Sequence, residues 1–178
     1  VYDMNTKSVI RPDYNLKDIS ITRFKPLNDK ELLIATDGGG VHKINMDTYQ
    51  IVPEIVADYN SNCGMNGNSI NDIFVAIIED REGDLWFATN NGISFFNSKT
   101  GQWRSVLSAF EESQGNKSHI FLTICEVAPG IIWAGGYSSG AYQIDKKTFS
   151  VSYFMPPLYT HTNKRPDKYI RDIRTDMQ

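Results

Sequence analysis

Three segments of the chain repeat one grammar. KELLIATDGGGV, EDREGDLWFATNNGI and PGIIWAGGYSSGA each read as a polar turn, a short apolar strand, a glycine-bearing turn and the start of another strand. Aligned on Leu33, Trp86 and Trp133, the copies stand 53 and 47 residues apart. A period of this size, with strands bounded by Gly, Asn, Asp and Pro, belongs to arrays in which each unit buries its faces only against its neighbours. No stretch of 11 or more residues keeps a 3.6-residue period, which excludes a helical array.

Each unit divides into four short strands, so the expected fold is all-β: propeller blades of four antiparallel strands, forming an incomplete segment of a larger propeller. Full blades are expected at 19–53, 73–107 and 119–154, the end of a preceding blade at 1–13 and the start of a following one at 169–178. That makes 15 strands, the last spanning 169–175. In the middle unit IFVAIIE (73–79) is apolar on both faces, as an innermost strand would be, while QWRSVL (102–107) mixes polar and apolar residues. Burial is therefore expected to fall from the first strand of a blade to the last. Leu33, Trp86 and Trp133 are expected to pack between blades, where a large side chain fills the gap between splayed sheets. Gly83, Gly92 and Gly140 are expected in turns that need positive φ.

Composition narrows the function classes. The 178 residues are 40% hydrophobic and 12% aromatic, enough for a core, and the formal charge of -3 comes without any Lys/Arg-rich run. Nucleic-acid binding by this segment therefore lacks its electrostatic footprint. No apolar run approaches the roughly 18 residues of a spanning helix. The chain begins at Val1, which fits a mature segment or a piece of something longer. Cys63 and Cys125 are too sparse for a disulfide framework or a zinc site and read as free thiols. No cofactor or metal is called for.

The run from Glu79 to Ile93, EDREGDLWFATNNGI, resembles the two-component regulator propeller repeat. Unit one keeps Ala35-Thr36-Asp37-Gly38 with Leu33 in place of Trp; unit three keeps Gly130 and Trp133 with Gly135-Gly136 in place of Ala-Thr. The resemblance implies a piece of the periplasmic sensor region of a membrane sensor kinase, often the hybrid type of gut anaerobes that joins propellers, a membrane span, a histidine kinase, a receiver and a DNA-binding module. Family members commonly respond to oligosaccharides. The implied role is thus non-catalytic sugar sensing that regulates glycan-utilisation genes, with membrane attachment only through other parts of the parent chain.

Three full blades cannot close a ring of ~4 to 8 blades, so the open ends are expected to self-associate. In an up-and-down order, the turns joining strands two and three share a face with the loops between blades. Asp37, Asn90, Asn91 and Tyr137 fall on that face from the short turns, and Tyr59, Asn66, Asn68, His119, Tyr159 and His161 from the long loops. Planar amides, carboxylates and imidazoles suit sugar hydroxyls, and aromatic plates suit their C–H faces. All of these side chains are equally at home in turns.

Catalytic motifs are weak. Gly136-Tyr137-Ser138-Ser139-Gly140 matches G-x-S-x-G in form, but a strand, AYQID, follows where a nucleophile elbow needs a helix. Asp80 and Asp84, with Glu79 and Glu82, lack calcium-loop spacing and read as a solvated charged hairpin. His42, His119 and His161 show no metal-ligand spacing, Gly38-Gly39-Gly40 lacks the lysine of a phosphate loop, and Asn116-Lys117-Ser118 is a lone sequon. A catalytic propeller acting on glycans would place paired ionisable groups on innermost strands; Glu79, Glu126, Arg23 and Lys25 are the candidates there. Sensing is favoured over catalysis, and a protein-interaction scaffold stays open.

Overall fold

The computed structural model describes residues 2–9, 20–37, 40–52, 74–90, 92–107, 120–137, 140–154 and 170–174, and among them every regular element is a strand. A short pair, β1 (Tyr2–Asp3) and β2 (Ser8–Val9), precedes three four-stranded sheets. Blade 1 comprises β3 (Ile21–Pro26), β4 (Glu31–Thr36), β5 (Val41–Asn45) and β6 (Ile51–Val52). Blade 2 comprises β7 (Phe74–Glu79), β8 (Leu85–Thr89), β9 (Gly92–Asn97) and β10 (Gln102–Ser105), and blade 3 β11 (Phe121–Ala128), β12 (Ile131–Gly136), β13 (Gly140–Asp145) and β14 (Val151–Phe154). Every pairing is antiparallel between strands consecutive in sequence.

Within the expected fifteenth strand, the described residues 170–174 carry no ladder, and Ile170 lies against β12 through its N–H on the Gly136 carbonyl at 3.3 Å. The Gly135 that replaces the repeat's alanine is explained here. A Cβ at Gly135 would stand 2.5 Å from Ile170 Cγ2, so only glycine permits this approach.

The register makes the blades comparable residue by residue. Leu33 pairs with Lys25 and Lys43, Trp86 with Ile78 and Phe95, and Trp133 with Cys125 and Gln143. A bulge recurs near the start of each first strand, between Ile21 and Arg23, Phe74 and Ala76, and Phe121 and Thr123. β7 lies between β3 and β11 and contacts both, the three first strands standing side by side at the centre of the array.

Burial does not fall steadily from the first strand. All five residues of β8 are buried, whereas Val75–Ile78 of β7 are half-buried and Glu79 is exposed. The reason is geometric: second and third strands have a neighbouring blade on each face, while first strands present an edge to the axis of an arc that the described blades do not close. Strand alternation divides β8 between its neighbours. Leu85 and Phe87 join Leu33, Ala35 and Val41 of blade 1 in one core. Trp86 and Ala88 join Phe121, Ile132 and Ala134 of blade 3 in another.

The fourth strands β6 and β14 begin at Ile51 and Val151, two residues later than periodicity suggests, because the turn before them has its own chemistry, while β10 begins at the expected residue 102. Asn45, Asn97 and Asp145 each accept, at Oδ1, the N–H of Thr48, Thr100 or Thr148 three residues on, at 2.8–2.9 Å. The next residue must then adopt positive φ, and it is Gly101 (69°) in blade 2 but Tyr49 (57°) and Phe149 (55°) elsewhere. Lys7 (51°) repeats the geometry between β1 and β2.

Both outer faces of the array carry apolar side chains. Phe24, on the face of blade 1 away from blade 2, is 61% exposed, and Phe154, whose ring packs 4.8 Å from Trp133 on blade 3, is 43% exposed.

Candidate functional site

The hairpin Asp80–Asp84 joins β7 to β8. Asp80 Oδ1 accepts the N–H groups of Glu82 and Asp84 at 3.0 Å, Gly83 takes φ of 84°, and the Asp80 N–H closes onto the Asp84 carbonyl at 2.9 Å. Far from being a solvated turn, the hairpin buries both aspartates, which are 4% and 3% exposed. Burial requires each oxygen to find a donor. Asp80 Oδ2 accepts the Trp86 indole N–H at 2.8 Å, and Asp84 Oδ1 accepts the Ser98 N–H at 2.8 Å.

The charge is met by the next blade. Lys146, one residue beyond β13, places Nζ 2.7 Å from Asp80 Oδ2, 2.7 Å from Asp84 Oδ2 and 2.9 Å from Glu82 Oε2. Burial opposes ionisation at Asp80, but the Lys146 and Trp86 bonds outweigh it and hold the carboxyl below its usual pKa. Burial likewise opposes the Lys146 charge, and its bonds to Asp80, Asp84 and Glu82 reverse that and raise its pKa above the ordinary value. Beside this ion group, Phe149 packs at 6.1 Å from Trp86 and 5.2 Å from Phe95, with the Arg104 guanidinium 3.9 Å over its ring. A second link runs the same way: Glu126 of β11 accepts the Gly130 N–H at 2.9 Å and the Arg81 N–H of the preceding blade at 2.8 Å.

The interface between blades 1 and 2 is built from corresponding positions but is not filled. A cavity of about 320 Å³ opens there, lined by Leu27, Glu31, Lys43, Glu79, Leu85 and Phe96 and closed by Asn28, Gly83, Ser98 and Gly101. Ser98 stands where blade 3 has Lys146, one residue past the Asx side chain, and Gly101 stands where blade 3 has Phe149. Lys43 binds Glu31 at 2.9 Å, and that bond, followed by Asn28 Nδ2 at 2.9 Å, lowers the Glu31 pKa.

This cavity lies at the end of the sheets that carries the turns between strands one and two and between three and four. The predicted ligand face is the opposite end. There Asp37 and Tyr137 are exposed and Asn90 half-buried, each at the corresponding position after its second strand, one per blade. Asn91, Tyr59, Asn66, Asn68, His119, Tyr159 and His161 lie outside the described residues, as does Cys63. Gly140, at φ of 84°, begins the strand β13, so no helix follows the G-x-S-x-G match. Burial, then the nearby Asp172 carboxylate, raises the Cys125 thiol above its usual pKa and keeps it protonated at neutral pH. Glu79 meets Lys25 at 3.8 Å, while both Glu126 oxygens are engaged by backbone N–H groups. Among the described residues no group of three His, Cys, Asp or Glu is disposed to hold a metal ion, and no helix is long and apolar enough to cross a membrane.

The buried ion group was missed in the sequence, although one signal pointed to it. A tryptophan committed to the core needs an acceptor for its indole N–H, and Asp80 is the polar side chain on the adjoining turn.

Comparison with known proteins agrees with this architecture. Residues 64–91 match the family model described as "Two component regulator propeller". Among solved structures, the chain is similar to the extracellular domain described as that of hybrid two-component system BT3049 from B. thetaiotaomicron, with 20% identity and a TM-score of 0.59 over 87% of this chain and 20% of that one. It is also similar to the extracellular domain described for one-component system BT4673 from B. thetaiotaomicron, with 21% identity and a TM-score of 0.56 over 77% of this chain and 16% of that one. The chain thus spans about one fifth or less of these two structures. None of the curated proteins matches it. The chain thus carries a match to the two-component regulator propeller repeat at residues 64–91, on an array of four-stranded blades.

Proposed function

We propose that the chain is a non-catalytic part of the periplasmic sensor region of a two-component system, of the hybrid type, and that the region responds to oligosaccharides and so regulates glycan-utilisation genes. The observation that carries the reading is the repeat match at residues 64–91 on a blade array shared with extracellular domains described for a hybrid two-component and a one-component system. The loop face bearing Asp37, Asn90 and Tyr137 is the proposed sugar side. Engagement of Glu126 by two backbone N–H groups supports sensing over catalysis, because it gives this inner-strand carboxylate a structural task.

A thermal-shift screen of the complete extracytoplasmic region, with this chain alone as control, tests the sugar reading against oligosaccharides of defined linkage. Ligand at a hundredfold above its dissociation constant adds ~2.7 kcal/mol, a rise of several degrees. A shift confined to one linkage class supports it; no shift with any sugar transfers the proposal to a peptide or protein partner.

The outer faces bearing Phe24 and Phe154 are proposed to pair with further blades or, in the isolated chain, with other copies. Sedimentation velocity should therefore show mass increasing with concentration, and a strictly monomeric profile at all concentrations rejects this.

A further inference from the structure

We infer that the cavity between blades 1 and 2 is a binding site for a small organic ammonium ion, with its charge between Glu79 and Glu31 and its apolar body over Phe96 and Leu85. The site lies at the end of the sheets opposite the proposed sugar face and is independent of that reading.

The protein itself shows what chemistry fits this position. One interface along, the corresponding volume holds the Lys146 ammonium against carboxylates and the Phe149 ring against Trp86 and Phe95. Between blades 1 and 2 the ring has no counterpart because Gly101 has no side chain, Ser98 is too short to bring in an ammonium, and the Lys43 ammonium is already held on Glu31 at 2.9 Å, so a cavity of about 320 Å³ is left. That volume falls at the lower end of the range for small-molecule sites.

Charge selects the ligand further. The lining carries two carboxylates, Glu31 and Glu79, against one ammonium, Lys43. Glu31 is already held by Lys43 and Asn28 at 2.9 Å. Glu79 is less well met. Among the described residues its partner is Lys25 at 3.8 Å, whereas its counterpart Glu126 accepts two backbone N–H bonds of 2.8–2.9 Å. An incoming ammonium gives Glu79 the short charge-assisted bond it lacks, while an incoming carboxylate would meet two like charges. Phe96, Leu85 and Leu27 supply an apolar wall for the rest of the ligand.

Phenethylammonium, an ammonium joined to a phenyl ring, is the probe, titrated into the chain by calorimetry at neutral pH beside 2-phenylethanol and 3-phenylpropionate. Saturable binding is expected for the ammonium, about tenfold or more weaker binding for the alcohol and the carboxylate, and a similar loss in Glu79→Gln. Ser98→Lys combined with Gly101→Phe installs the side chains of the neighbouring interface and should abolish binding. Phe149 already adopts the positive φ that Gly101 has, so the backbone accepts the change. If that double variant does not fold, Ser98→Lys alone, which puts an ammonium into the cavity, is expected to weaken the probe about tenfold or more. Equal binding of the alcohol, binding unchanged in Glu79→Gln or in the filled variant, or no saturable binding of phenethylammonium overturns the proposal.

Discussion

Replacing Trp86 by alanine is expected to destabilise the chain by about 3–5 kcal/mol, the largest effect of any single truncation in the repeat. Trp86 is fully buried and lies in the core shared by blades 2 and 3, with Phe95 at 4.8 Å and Phe149 at 6.1 Å. Its removal opens a cavity that rigid sheets on both sides cannot collapse into, and takes away the indole donor to Asp80. Urea denaturation with the slope held constant measures the loss. Two comparisons make the result interpretable. Trp86→Phe keeps most of the packing and is expected to cost only about 1 kcal/mol for the hydrogen bond, plus a smaller packing term. Trp133→Ala removes the corresponding residue of blade 3, which is half-buried against Phe154, and should cost less than half as much as Trp86→Ala. Equal costs for Trp86 and Trp133 would mean that the two positions are not distinguished by having a full blade on their far side.

How far the fold was legible follows from which contacts are local. The turns that cut the chain into strands announce themselves through Asn, Asp and Gly, so the order and approximate bounds of the twelve blade strands could be read from short segments. Tyr49 and Phe149 look like strand residues in the sequence, because nothing in a bulky aromatic signals positive φ. The Asx residue four positions earlier forces it. The aspartates of the hairpin were misread for a different reason. Their partner, Lys146, belongs to the next repeat, and local pattern carries no information about a contact at that separation. The cavity was hidden because it consists of missing side chains. Only the comparison of NSKTG with DKKTF across blades, once the register is fixed, shows that Ser98 and Gly101 are the short members of their positions. Degeneracy between repeats, which weakens family recognition, is thus where individual interfaces acquire their differences.

Lys146→Met is expected to cost about 3–5 kcal/mol at neutral pH, because it leaves two buried carboxylates facing each other without a counter-charge. The exposed Lys99, changed to alanine as a control, should stay within about 0.5 kcal/mol. The pH dependence separates this from simple loss of packing. In the native protein, Asp80 titrates below its ordinary 3.8, so its contribution is present above that value and is lost as pH falls through the lower folded value. Lys146 titrates above its ordinary 10.5, so its contribution is complete below 10.5 and is lost as pH rises through the folded value. Asp80 and Lys146 therefore add no slope to stability between about pH 4 and 10. Without the ammonium, burial, already the largest single influence on Asp80, loses its strongest opponent and favours the neutral form. The deficit of Lys146→Met should then shrink as pH is lowered from 7 toward 4, as protonation removes the stranded charge. Adding Asp80→Asn and Asp84→Asn to Lys146→Met should recover much of the stability, since a neutral set leaves no unpaired charge to desolvate. A loss below about 1 kcal/mol, or one independent of pH across that range, would instead place the lysine among surface pairs of little weight and leave the junction of blades 2 and 3 to its aromatic core alone.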